Sequence, residues 1–238
     1  MVEKFVFPNA GIHITSDKVA EADFFLEILK TTKPDEEQFK FVFSAYVSAL
    51  RSITFSLQYV MKKYPGFDEW YINQQEKLRS SDLAKAFVKF RNYTQKVGVI
   101  PIAYEYGMFE GTLFSTAKFY VPSDSEIKEV PSGDVIDLSE QCLKEILVVV
   151  ADCYREFDVY INPDVLFTEK ALKKLNWTVE DIEELVGFPR GYTNIPFNDD
   201  SLSDEQIRLN LLRPYGGDEL LQFYIDKYVH QKASKDEG

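Results

Sequence analysis

The sequence predicts a mainly α fold: a four-helix bundle that carries a small β-hairpin and further helices toward the C-terminus. Three observations predict it. Phe39, Phe43, Tyr46, Leu50, Ile53, Leu57 and Val60 alternate spacings of four and three, the period of one buried helix face. Ser81 and Asp82 precede an apolar Leu83, Phe87, Phe90 stripe that Gly98 and Pro101 close, the punctuation of a capped helix. Residues 99–106 and 112–121 are rich in β-branched and aromatic side chains, with Gly107 and Gly111 between them, which reads as a hairpin.

The remaining elements follow in chain order. Ser16 is placed to cap a first helix running to about residue 31, with Asp17 favouring its dipole. Pro34, Asp35 and Gln38 form an N-terminal signature for the striped helix, expected over residues 35–63. Ser44, Ser48, Ser52 and Ser56 recur on another face of that helix. Small side chains there allow a second helix to approach closely, from the same bundle or from a second copy of the chain. Pro65 and Gly66 break the helix, a third is expected over 68–78, and the capped fourth covers 81–97. After a polar loop, Asp137 with Glu140 opens a long helix expected over 138–160. Short helices are expected near 178–186, 203–213 and 217–231, the middle one capped by Ser203 with Gln206. The chain thus divides into a bundle with its hairpin, residues 1–162, and a small helical region, residues 163–238, packed on the same domain or separate from it.

Composition bounds the function. With 238 residues and 45% hydrophobic content, the chain can bury a core without disulfides or metals. No apolar run approaches the ~20 residues that cross a bilayer, and the first ten residues lack a secretory layout, so a cytoplasmic protein with no membrane partner is expected. Cys142 and Cys153 stand ~16 Å apart along a helix, too far to bridge, and read as buried thiols. The two histidines, His13 and His230, lie near opposite ends. Without a zinc-spaced Cys/His cluster, a Gly-rich phosphate loop or a supported Ser-His-Asp order, neither metal nor cofactor is expected. The paired carboxylates Glu36/Glu37, Glu183/Glu184 and Asp199/Asp200 are adjacent in sequence, which splits each pair across a helix or places it in a loop. Residues 177–191 read as a short acidic helix ended by Gly187 and Pro189, with aromatics that either pack locally or meet a protein partner.

A net charge of −12 opposes general nucleic-acid affinity, yet the charge is uneven. Residues 51–100 carry nine basic side chains (Arg51, Lys62, Lys63, Lys77, Arg79, Lys85, Lys89, Arg91, Lys96) against four acidic ones. On the fourth helix, Lys85, Lys89, Asn92 and Lys96 fall between about 180° and 240° from Leu83, opposite the apolar stripe. That face is either a solvated lysine surface or, with Arg91 beside it, an RNA-binding surface of Lys85, Lys89, Arg91 and Lys96.

The same helix reads Phe90-Arg91-Asn92-Tyr93-Thr94-Gln95-Lys96. This segment, on the last helix of a four-helix bundle, resembles the signature of the HEPN-domain family, which includes many metal-independent RNases. The family motif is an arginine, usually followed by Asn, Asp or His, with a histidine four to six residues beyond the arginine. Arg91 and Asn92 match, and Lys96 stands where the histidine would be. The resemblance implies catalytic positions at Arg91, Asn92 and Lys96, a homodimer with a composite site, and roles like those in bacterial defence or toxin–antitoxin systems.

The lysine changes the expected chemistry. An imidazole titrating near about 6.5 can take and give a proton, whereas an ordinary lysine near about 10.4 is already protonated. On a regular helix Arg91 and Lys96 also diverge by about 140°. The sequence therefore points to a catalytically degenerate HEPN-like protein that binds RNA, a nucleotide or a protein. The alternatives are a metal-independent RNase with an unrecognised base and an interaction scaffold that meets no nucleic acid. Structurally, Arg91 could instead pair with a carboxylate of a neighbouring helix, and Lys96 could serve the dipole of the last turn.

Overall fold

A computed structural model describes residues 12–34, 37–98, 102–121, 127, 129–195, 201–216 and 219–230. Its centre is α2 (Glu37–Met61), and every residue of the four-three stripe from Phe39 to Val60 is buried. Apolar burial along one face holds this helix in place far more than intrinsic propensity does. The Tyr46 hydroxyl, inside the core, donates to the Ser139 carbonyl at 2.6 Å. Asp35, expected near its start, lies outside the described residues.

Before it, α1 (Ile12–Thr31) packs along α2. Ser56 near the end of α2 donates to Thr15 near the start of α1 at 3.4 Å, so the two helices run antiparallel. The inner end of the serine stripe thus meets a helix of its own chain. Ser48 and Ser52 return their hydroxyls to the carbonyls of Ser44 and Ser48, which spares these half-buried groups a partner elsewhere. The expectation that Ser16 caps α1 is corrected. The helix begins at Ile12, and Thr15 and Ser16 are buried within it. Packing against α2 extends the helix past a residue that would otherwise start it.

Gly66, left-handed at φ 85°, turns the chain into α3 (Phe67–Ser80). Ser81 then caps α4 (Asp82–Val97) as expected: its Oγ accepts from the Ala84 N–H at 3.1 Å and donates to Glu145 at 2.7 Å. Gly98 ends α4 at φ 76°.

The hairpin is β1 (Ile102–Phe109) paired antiparallel with β2 (Thr112–Phe119). Its turn is Glu110-Gly111, both at positive φ, the geometry that suits a two-residue connection. Gly107 is not in the turn: it stands opposite Phe114 inside the ladder, and that ring covers the place of a side chain. Ile102 and Phe119 seat the base of the hairpin on the bundle, with Phe119 stacked on Phe90 at 4.3 Å between centroids.

The long helix α5 (Val135–Glu156) starts before the expected position and is capped by Asp134 rather than Asp137. One Asp134 oxygen accepts from Ile136 at 2.7 Å and the other from Ala117 of β2 at 3.3 Å, tying hairpin to helix. The helix ends at Glu156, short of residue 160, where Phe157 breaks the backbone. α5 touches α1, α2, α3 and α4 and so packs against all four helices of the preceding bundle.

Three short helices follow that periodicity does not reveal: α6 (Asp158–Ile161), α7 (Pro163–Leu166) and α8 (Glu169–Leu175). The expected α9 (Val179–Leu185), α10 (Asp204–Leu212, capped by Ser203) and α11 (Glu219–Tyr228) are present. α11 returns to the bundle, where Lys227 reaches Asp23 at 2.6 Å and Glu27 at 3.0 Å. Leu221, Ile225 and Tyr228 share one continuous core with Leu143 and Leu147. Trp177 is buried in that core, which takes the local-packing alternative for this aromatic of residues 177–191. No helix among the described residues is long and apolar enough to cross a membrane.

Candidate anion-binding site

α4 places the candidate residues. Its Leu83, Phe87 and Phe90 are buried, and the Phe87 and Phe90 rings meet Phe43 edge-on. Lys85, Lys89, Asn92 and Lys96 consequently face solvent. Between α2, α3, α4 and α5 lies a cavity of about 340 Å³, and Lys85 and Lys89 stand on its α4 side. Arg51 from α2 and Arg79 from α3 line the same cavity, so four cations share it. Its body is apolar, with Leu50, Leu78, Phe87 and Ile146 among its walls. Cys142 also lines it; burial pushes this thiol up, which keeps it neutral.

The cations differ in what holds them. Lys85 pairs with Asp82 at 2.6 Å one turn away, an exposed ion pair. Arg51 is half-buried: one Nη donates to the Thr54 hydroxyl at 2.9 Å and the guanidinium lies 4.3 Å from the centre of the Phe55 ring. Burial pulls the Arg51 pKa down, Tyr71 opposes this in part, and nearby Arg91 adds to it. Among the described residues, no carboxylate pairs with Arg51, Arg79 or Lys89.

The HEPN-like positions are arranged differently. Arg91 donates to the neighbouring Asn92 side chain at 3.2 Å, while its Nε is buried with no hydrogen-bond partner. It pairs with no carboxylate among the described residues, so that structural account of Arg91 is not met. α4 is one continuous helix, and Arg91 and Lys96 stay about 140° apart around it. Neither lines the cavity. Of the residues expected on an RNA-binding surface, Lys85 and Lys89 line the cavity and Arg91 and Lys96 do not. Arg51 and Arg79, counted in the basic segment but not singled out from it, are the additions.

The other titratable candidates lie elsewhere. His230 pairs with Asp226 one turn back at 2.8 Å, and the His13 side chain lies outside what is described. No group of three or more His, Cys, Asp or Glu among the described residues is placed to hold a metal. Glu183, fully buried, accepts from the Thr193 N–H at 2.7 Å, from the Gly191 N–H, from the Thr193 hydroxyl at 2.5 Å and from Arg208 at 3.1 Å. Three of these bonds reach one carboxylate oxygen and the fourth reaches the other, which makes Glu183 a structural clamp between α9 and the loop that follows it.

Comparison with known families places the site in context. Residues 23–103 match the family described as bacteriophage lambda protein ea47. The match covers about a third of the chain, from within α1 to the first residues of β1, and includes Arg51, Arg79, Lys85, Lys89 and Arg91. No curated protein and no solved structure matches the chain.

Proposed function

We propose that this is a HEPN-like helical protein that binds RNA through the cations of α2, α3 and α4 and does not cleave it. The observation that carries the reading is the gathering of Arg51, Arg79, Lys85 and Lys89 around one opening in a chain of net charge −12. Three of the four have no carboxylate partner among the described residues. In an acidic protein, cations left unpaired at one place form a local positive field that a polyanion would neutralise. The proposed absence of cleavage rests on the motif, in which Lys96 stands where the family carries its histidine.

The test is direct. Incubated with a labelled single-stranded RNA at low salt, the protein should shift the RNA and leave it intact. Lys96→His puts the family's residue in place and is the control. If the unaltered protein cleaves RNA as fast as that variant, the non-catalytic assignment is wrong.

The resemblance also makes a homodimer part of the proposal, since composite sites in such proteins need two chains. Light scattering at micromolar concentration should give about twice the 27.6 kDa chain mass. A monomer at that concentration removes the composite site and leaves RNA binding to a single basic face.

One observation favours a second reading, a protein-interaction scaffold. Tyr106, Met108 and Phe109, toward the turn of the hairpin, are 60%, 72% and 68% exposed. Exposed large apolar side chains at the end of a hairpin can serve as a protein contact. If no RNA binds at low salt, this reading replaces the first.

A further inference from the structure

We propose that the cavity between α2, α3, α4 and α5 binds a small amphipathic anion, its apolar body inside and its carboxylate or phosphate head on Arg51, Arg79, Lys85 and Lys89. This goes beyond the RNA reading and does not depend on it, because it concerns the interior of the cavity and not only its basic rim.

The chemistry of the walls selects the body. Leu50, Leu78, Phe87 and Ile146 are apolar, and the Cys142 thiol is neutral. The hydroxyls that line the cavity are already engaged: Tyr71 donates to the Thr54 carbonyl at 3.2 Å, and Thr54 Oγ1 joins the Arg51 carbonyl at 3.0 Å to its guanidinium. A sugar or a base would give up hydrogen bonds to water and find few replacements, which is costly in an apolar site. An aliphatic or simple aromatic body loses nothing of that kind. The volume of about 340 Å³ is at the lower end of small-ligand sites and holds about ten water-sized groups at ~30 Å³ each.

The charge selects the head. Arg51 is half-buried without a carboxylate, and Arg79 and Lys89 also lack one among the described residues. An anion at this opening satisfies a guanidinium that burial and Arg91 destabilise. Inorganic phosphate alone would leave the apolar interior unfilled.

Calorimetric titration of the full chain with decanoate, below its micelle concentration, tests the proposal. Saturable binding of one decanoate per chain is expected, with decanol weaker by at least about tenfold and inorganic phosphate giving no measurable heat. Arg51→Gln should weaken decanoate by about tenfold. Val88→Trp, at an exposed position on the cavity wall, should block entry while leaving the circular dichroism spectrum unchanged. Anionic phospholipid vesicles should not sediment the protein, since the expected ligand is free in solution. No decanoate binding, equal binding of decanol or phosphate, unaltered affinity in folded Val88→Trp, or sedimentation with vesicles would each overturn it. Decanoate binding without RNA binding would sustain this proposal and remove the RNA reading; RNA binding without decanoate binding would do the reverse.

Discussion

Charge reversal at both Lys85 and Lys89 is expected to lower RNA affinity by at least about a hundredfold, since each lost charge-assisted contact is worth about 1.5–3 kcal/mol. Both side chains are exposed on α4 and line the cavity shared with Arg51 and Arg79. Reversal removes two attractive charges and adds two repulsive ones where the local field is positive. Folding should barely change. Lys85 loses an exposed ion pair with Asp82 and Lys89 a weaker attraction to the same carboxylate, and changes at exposed charges of this kind cost little. Fluorescence anisotropy of a labelled RNA, with thermal melts of the same preparations, separates the two effects. Undiminished binding by a folded double variant would move the RNA site away from α4.

The second large effect concerns Glu183. Its carboxylate has no exposed surface and takes two backbone N–H groups, a hydroxyl and the Arg208 guanidinium. Glu183→Ala would leave those donors unpaired in the interior and is expected to cost about 3–5 kcal/mol, a fall in melting temperature of about 10 °C for a chain of this length. The effect should depend on pH. Burial alone would raise the Glu183 pKa, but the bonds from Thr193, Arg208 and Gly191 outweigh it and hold the carboxyl below its ordinary value of 4.5. A carboxylate held below its unfolded value stabilises the fold above that value and loses this contribution as pH falls through the folded one. The gap in melting temperature between the unaltered protein and Glu183→Ala should therefore be full at pH 7 and shrink below about pH 4. A gap that stays constant down to pH 3 would mean that packing, and not ionisation, sets the loss.

How much of this was legible in the sequence depends on the range of the forces involved. The stripe from Phe39 to Val60, the Ser81 cap, the Gly98 stop and the Ser203 cap were legible, because each is a local pattern that tertiary packing reinforces. Where packing overrides the local signal, the reading failed. Ser16 carries a start signal, yet burial against α2 draws it inside the first turns of α1. Asp137 resembles a cap, but Asp134 does the capping because it also reaches Ala117 of the hairpin. Gly107 resembles a turn glycine and instead lies beneath the Phe114 ring in the strand pair. Four-residue helices such as α6 and α7 are too short to show a period at all.

The site follows the same rule. A basic segment in an acidic chain could be counted, and Lys85 and Lys89 could be placed on one face of one helix. That Arg51 and Arg79 join them is a fact about three helices meeting, which spacing along one helix does not contain. Nor does it contain the cavity, whose fourth wall is α5, separated from α4 by the hairpin. The adjacency of Glu183 and Glu184 shows only that the pair splits across a helix, not what Glu183 does. Its structural role arises from Thr193 and Arg208, ten and twenty-five residues away.

The central claim is that cations gathered around the cavity of a strongly acidic chain bind RNA by neutralising its phosphates. Its most direct test is the salt dependence of affinity for one short single-stranded RNA, measured by anisotropy at increasing salt. Four cations on a single strand predict that the logarithm of the association constant falls against the logarithm of salt with a slope of about −3. A slope near zero, or no binding at the lowest salt, would contradict the account.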